Sequence, residues 1–253
     1  KLIQQNNLND IHFIESLKSL NADFFIVIAY KILPQHIFSI PKYGTMNLHG
    51  SLLPKYRGAA PIQRSILNGD KVTGVSTFII DKNIDTGNVI LQSKLSIGDK
   101  NFGQIHTELS KIGASLVLNS INHIIQKKPL IEQEGAYTYA PKIKKDETQI
   151  NWHLSSTNII NLIRAFSPTP GAFSYLNDKR VRIYEAKKSF DSEIILSPGQ
   201  ISIINKKKLL IGSIDFPIEI NQLQLEGKNI MDAASFINGY KNILINESIF
   251  KRR

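Results

Sequence analysis

The stretch Ile11-His12-Phe13-Ile14-Glu15-Ser16-Leu17-Lys18-Ser19-Leu20-Asn21-Ala22-Asp23-Phe24-Phe25-Ile26-Val27-Ile28-Ala29 decides the fold class. Apolar residues at Ile11, Ile14, Leu17 and Leu20 recur at helical spacing, and a nearly unbroken apolar run from Phe24 to Ala29 follows them. A run that short, without polar alternation, is the pattern of a strand covered on both faces. A helix leading into it is the pattern of a crossover in a parallel sheet. The expected class is therefore α/β, with a mostly parallel sheet.

Outward from that stretch, Pro34 opens a short helix, Met46 to His49 has the pattern of a second strand, and Ala59 to Leu67 that of a helix closed by Asn68-Gly69. Val75 to Ile80 and Val89 to Ile97 are expected strands, and Gln104 to Lys127 carries one long apolar stripe, the mark of an amphipathic helix. From Pro129 to Ile150 the period is lost and polar residues dominate, as in a linker. The expected division is a first domain over residues 1–130, a linker over 131–150 and a second domain over 151–253. The second domain opens with a helix from Ser155 to Phe166. Short strands then follow at Phe173 to Leu176, Arg180 to Tyr184, Ile201 to Ile204, Leu209 to Ile211 and Ile218 to Leu225, a spacing that suggests a small barrel or sandwich.

Composition narrows the chemistry. The 253 residues contain no cysteine, which removes disulfides, thiolate catalysis and sulfur-ligated metal. The histidines show no ligand spacing, so no metal is expected. With no long apolar run the expectation is a protein without a membrane partner, and the absence of cysteine fits a cytoplasmic one; a monomer is expected. The net charge of +10 favours a polyanionic partner. Basic clusters fall at Lys142-Ile143-Lys144-Lys145, Lys179 to Arg182, Lys206-Lys207-Lys208 and Lys251-Arg252-Arg253, each of which also has a plain reading as solvated surface.

Asn47 and His49 are two apart on an expected strand, so both side chains leave the same face. Gly50 permits a turn, and the backbone of Ser51-Leu52-Leu53-Pro54 is suited to meet a flat heterocycle edge-on. Asp85 lies in the loop Asn83-Ile84-Asp85-Thr86-Gly87 between two expected strands, where the carboxyl ends of parallel strands gather ligands. An amide, an imidazole and a carboxylate suit acyl transfer between nitrogens without a covalent enzyme intermediate: Asn47 as oxyanion donor, His49 as its partner or proton carrier, Asp85 orienting His49 and taking a proton through water. Each residue alone also has a structural explanation, as a turn residue, a satisfied buried histidine and a turn cap.

The segment Asn47-Leu48-His49-Gly50-Ser51-Leu52-Leu53-Pro54-Lys55-Tyr56-Arg57-Gly58-Ala59-Ala60-Pro61-Ile62-Gln63 closely resembles the signature of the formyltetrahydrofolate-dependent transferases. The resemblance implies a Rossmann-like catalytic domain, 10-formyltetrahydrofolate as formyl donor, catalytic roles for Asn47, His49 and Asp85, and a folate site lined by Ser51, Leu52, Leu53 and Pro54. Tyr139-Ala140-Pro141-Lys142-Ile143, Ile163-Arg164-Ala165-Phe166-Ser167-Pro168 and Leu223-Gln224-Leu225-Glu226-Gly227-Lys228 look like the branch acting on initiator methionyl-tRNA, whose C-terminal domain is an OB-like barrel. On that resemblance Lys142, Lys144, Lys145, Arg164, Lys206, Lys207 and Lys208 become expected phosphate contacts. The alternatives are a sugar-nucleotide N-formyltransferase and an inactive fragment that keeps folate or tRNA binding. Lys31 and Thr169 depart from the family pattern. The chain enters that pattern late, as though roughly two βα units of about 30 residues each preceded Lys1, and the Phe24 to Ala29 strand is then expected to present an exposed edge.

Overall fold

The computed structural model describes residues 2–190, 194–240 and 249–251; Arg252 and Arg253 of the last basic cluster lie outside the described residues. The chain forms two compact units, the first built from Lys1–Pro61, Val72–Ser96 and Thr107–Pro141, the second from Ile62–Lys71, Ile97–His106 and Lys142–Arg253. The stretch 131–150 is thus divided between the units. Its first part is tied down, with Ile131 bridged to Val89 and Tyr139–Ala140 paired in parallel with Arg57–Gly58.

In chain order the first elements are α1 (Ile11–Lys18), β1 (Phe25–Val27), α2 (Gln35–Phe38), β2 (Thr45–His49), β3 (Arg57–Gly58), α3 (Pro61–Leu67), β4 (Val72–Ile79), β5 (Val89–Ser96), α4 (Phe102–Ile125) and β6 (Tyr139–Ala140). Asp10 starts α1 by accepting the Phe13 N–H at 2.8 Å, which satisfies one of the free donors at a helix start. The first unit holds a four-stranded sheet in the order β1-β2-β4-β5. Only β1 and β2 run parallel, with Val27 beside Asn47; β2/β4 and β4/β5 are antiparallel. The expectation of a mostly parallel sheet is corrected on this point. Residues 80–88 between β4 and β5 are too few for a parallel crossover, which needs about a dozen. Apolar periodicity records which face is buried and carries nothing about strand direction.

β1 is an edge of this sheet among the described residues, and it is not covered on both faces: Ile26 is 38% exposed. Under the sheet, Leu53, Phe78 and Val89 form a small buried cluster with Ile80 packed on it. A buried 2.6 Å hydrogen bond between the Thr77 and Ser120 hydroxyls ties β4 to α4, so two buried polar groups satisfy each other.

The second unit adds α5 (Ser156–Phe166), β7 (Ala172–Leu176), β8 (Lys179–Lys188), β9 (Ile201–Ile204), β10 (Lys208–Ile211), β11 (Ile218–Leu225), β12 (Met231–Asp232) and α6 (Ala233–Gly239). Ser155 caps α5 through the Asn158 N–H, and Asp232 caps α6 through the Ser235 N–H. Ile159, Ile163 and Phe166 of α5 join Val181, Ile183, Leu223 and Phe236 in the main core. The sheet is antiparallel, in the order β7-β8-β11-β10-β9 with β12 on β11. Asn177-Asp178 and Asn205-Lys206 turn its hairpins with positive φ at all four residues, the geometry that matches strand twist. The expected barrel does not close by strand pairing among the described residues. Its edges are instead tied by single bridges, Ile249 to Gln200 and Lys251 to Tyr175. Hairpin spacing identifies the strands, whereas closure depends on pairing far apart in sequence.

Among the described residues no helix is long and apolar enough to cross a membrane.

Candidate active site

Alternation along β2 puts Asn47 and His49 on one face, as the spacing requires. His49 is 6% exposed and Asp85 14%, with His49 Nδ1 and Asp85 Oδ2 3.7 Å apart. The other ring nitrogen, Nε2, lies 2.9 Å from the Tyr56 carbonyl, which can only accept, so this contact places a proton on Nε2. Nδ1 is left facing the carboxylate at a separation beyond a direct hydrogen bond. Phe78 packs edge-on to the imidazole at 6.5 Å. The Asn47 Oδ1 atom is buried and has no hydrogen-bond partner among the described residues. Leaving a buried polar atom without a partner costs about 1–3 kcal/mol, so this atom on the His49 face of β2 calls for an explanation.

Asp85 reaches His49 by a route the expected parallel sheet would not supply. β4 ends with Ile79 opposite Met46, and the Ile80 N–H bonds to the Thr45 carbonyl, so the chain leaves beside the start of β2. Residues 81–85 then fold back toward its end. Asp81 staples this return by accepting the Asn83 N–H at 2.9 Å and the Thr86 hydroxyl at 2.7 Å. Asp85 itself sits at φ 55°, a left-handed conformation that Asp tolerates better than most residues. Gly87 is required behind it, because a Cβ there would lie 1.7 Å from the Ile79 carbonyl oxygen. Gly58 donates its N–H to Asp85 Oδ2 at 2.8 Å. Gly58 has φ +121° and passes so close to the Ala140 carbonyl that a Cβ would come within 2.8 Å.

The loop after β2 turns its polar groups inward. Ser51 Oγ donates to Lys55 O at 2.6 Å, Ser76 Oγ donates to Ser51 O at 2.6 Å, and Ser76 Oγ also accepts the Leu53 N–H at 3.0 Å. Gln92 Nε2 donates to Leu53 O at 2.8 Å. Ser51 and Leu53 are therefore buried, with the Ser51 carbonyl and both Leu53 main-chain groups engaged within the protein, while Leu52 and Pro54 keep partial exposure. Sequence reasoning missed Gly58, Ser76 and Gln92; only Gly58 carried a local signal, as the glycine of Tyr56-Arg57-Gly58.

Lys142, Lys144 and Lys145 are exposed, as are Lys206, Lys207 and Lys208 around the β9–β10 hairpin. Arg164 is different. Its guanidinium donates to the Lys100 carbonyl at 3.1 and 2.9 Å, to the Gly98 carbonyl, and to Asn161 Oδ1 at 3.3 Å. Burial pushes its pKa down, with the Asp99 carboxylate pulling the other way. Arg164 thus closes the turn at residues 98–100, and the expectation of an open phosphate contact does not fit its geometry.

Residues 1–117 match the family model for "Formyl transferase", and residues 142–241 match "Formyl transferase, C-terminal domain". A methionyl-tRNA formyltransferase of Thermodesulfovibrio yellowstonii is 46% identical over 254 residues, covering 98% of this chain and 79% of that protein. Among solved structures, HypX from Aquifex aeolicus in complex with tetrahydrofolic acid aligns with a TM-score of 0.70 at 17% identity, over 95% of this chain and 44% of that one. This chain spans less than half of that HypX chain. Methionyl-tRNA formyltransferase from Clostridium thermocellum aligns at 0.58 and 21% identity, over 76% of this chain and 82% of that one. At such identities the structural likeness is one of fold. The sequence match across both units carries more, and by it the chain belongs to the formyl transferase family, on its methionyl-tRNA formyltransferase branch.

Proposed function

We propose that this protein transfers a formyl group from 10-formyltetrahydrofolate to the α-amino group of methionine on initiator tRNA, as a cytoplasmic monomer serving translation initiation. The observation that supports the reading is the buried pair His49–Asp85, 3.7 Å apart, with Asn47 on the same face of β2 as His49 and its Oδ1 buried without a partner among the described residues. Its Oδ1 is an acceptor and fits a ligand that brings an N–H donor, while the NH₂ end of the same amide can donate to a ligand carbonyl. Bound, the folate supplies its formyl group as an activated amide.

The residues divide the remaining work. Either end of the Asn47 amide can be turned toward a ligand, and its NH₂ is suited to donate to an oxygen that gains negative charge as an amine attacks. His49, held by the Tyr56 carbonyl and packed on Phe78, keeps Nδ1 aimed at Asp85. Asp85 stabilises positive charge on that ring and accepts the proton the attacking amine must lose; the bond between the formyl carbon and the folate nitrogen then breaks, that nitrogen taking up a proton so that tetrahydrofolate leaves. Leu52 and Pro54 offer an apolar wall for a flat ring, fixed from behind by Ser76 and Gln92. The exposed lysines 142, 144, 145 and 206–208 supply phosphate contacts for tRNA.

The test is formylation of methionyl-tRNA by the purified chain, with an amino-sugar nucleotide as rival acceptor. Formyl-methionyl-tRNA should accumulate, and Asn47→Ala should slow it by about 100- to 1000-fold. Preference for the sugar nucleotide, or turnover indifferent to Asn47, contradicts the proposal.

A further inference from the structure

Gln133 belongs to the stretch whose sequence looks like linker, yet both ends of its side chain are spent on the site's framework. Its Nε2 donates to the Asp85 carbonyl at 3.0 Å and to the Gly87 carbonyl at 2.7 Å. Its Oε1 accepts from Arg57 Nε at 3.1 Å and Nη2 at 2.8 Å. Arg57 is itself only 8% exposed, with its guanidinium 4.9 Å from the Tyr137 ring centroid. The neighbouring main chain is fastened too, by the Arg57 N–H on the Thr138 carbonyl at 2.9 Å and the Tyr56 N–H on Thr138 Oγ1 at 2.8 Å.

The two carbonyls that Gln133 draws together are that of the left-handed residue Asp85 and that of Gly87, two residues on. Pinning both fixes the backbone of the residue whose carboxylate must face His49. The carboxylate is fixed separately by Gly58, whose own strand carries Arg57. A primary amide is suited to this place, because one end must donate to two carbonyls while the other accepts from a guanidinium. We propose that Gln133 is a positioning residue: anchored on Arg57, it clamps the Asp85–Gly87 turn so that Asp85 Oδ2 stays aimed at His49 Nδ1. The rate readout of this inference rests on the proposed formyl transfer; the structural readout does not.

Gln133→Glu and Gln133→Ala separate the two ends of the side chain. Glutamate keeps, and strengthens, the contact with Arg57, but turns an oxygen against the carbonyls of Asp85 and Gly87. Both variants should lower kcat by about 10- to 100-fold, the scale of a slightly misplaced catalytic group. KM for the folate donor and for tRNA should change less than about threefold, since the lost interaction acts in the transition state. Hydrogen exchange at the Gly58 amide should accelerate about tenfold, while amides in the middle of β4 keep their protection. A Gln133→Glu protein that matches the parent in kcat and Gly58 exchange overturns the proposal and leaves Gln133 as a support for Arg57 only. A kcat loss matched by general loss of protection across β4 overturns it as well. If the parent chain shows no turnover, the formyl-transfer reading fails by itself, and Gly58 exchange in the glutamate variant still decides the positioning role.

Discussion

Asp85 in the first unit and Asp215 in the second are both carboxylates that receive a main-chain N–H, and they are held in opposite ways. Asp215 Oδ1 accepts from the Ser156 N–H at 2.7 Å, the Ser213 hydroxyl at 2.8 Å and the Phe216 N–H at 2.9 Å, while Oδ2 takes the Ser156 hydroxyl at 3.2 Å. Among the described residues Asp85 accepts one N–H, from Gly58, on the same oxygen that faces His49. Partial burial pushes the Asp215 carboxyl upward, but its hydrogen bonds from Ser156, Ser213 and Phe216 outweigh that and hold it at about 2, from an ordinary 3.8. A saturated carboxylate braces a helix start and a turn. One with lone pairs to spare, facing a ring nitrogen, is the one left open to a ligand in the proposed reading. The same contrast separates Arg164, whose donors are used on carbonyls, from the exposed lysines of the β9–β10 hairpin.

The contrast breaks first, if it is wrong, at His49. His49→Ala should reduce single-turnover formyl transfer by about 100- to 10,000-fold, the range for a lost proton-transfer group, with folding measured by circular dichroism unchanged. Next in size is Arg164→Ala, which strands the carbonyls of Gly98 and Lys100 beside solvent. It should cost on the order of 1–2 kcal/mol in denaturant unfolding while leaving tRNA affinity nearly intact. A loss of tRNA affinity without a loss of stability would return Arg164 to the phosphate contacts.

Asp215→Asn should cost less, about 1 kcal/mol near neutral pH, comparable to losing a helix-start acceptor. Its pH dependence has a definite sign. The folded pKa is depressed, so the stabilisation is present above about 4 and is lost as pH falls through about 2. Urea midpoints of parent and Asp215→Asn protein, measured from pH 5 down to 2, should therefore converge at the acid end. The smallest effect belongs to Lys206, Lys207 and Lys208 changed together to Ala. Stability should hold, and the slope of log affinity for tRNA against log salt should shrink by about one for each phosphate contact removed.

How far the sequence was legible depended on whether the information was local. The face shared by Asn47 and His49, the start of α5 and the long stripe of α4 are set by residues within a few positions, and they stand where spacing puts them. The direction of β4, the tied but unpaired edges of the second sheet and the return of residues 81–85 along β2 depend on partners tens of residues away. The resemblance grouped Arg164 with the surface lysines, because a sequence cannot show that a guanidinium already has acceptors. Gln133 was hidden for the same reason: a polar residue in a polar stretch has the pattern of a linker until its two partners are seen. Ile26 and its neighbours suggested a strand covered on both faces, whereas Ile26 is part exposed and β1 ends the sheet among the described residues.

The most direct measurement sets the two carboxylates side by side: single-turnover formylation of methionyl-tRNA by Asp85→Asn and Asp215→Asn proteins, each shown by hydrogen exchange to keep the core of its sheet. Asp85→Asn should be at least about 100-fold slower than the parent and Asp215→Asn within about twofold of it. An Asp85→Asn protein that formylates at the parent's rate would contradict the assignment of Asp85 as the open, proton-accepting carboxylate of this site.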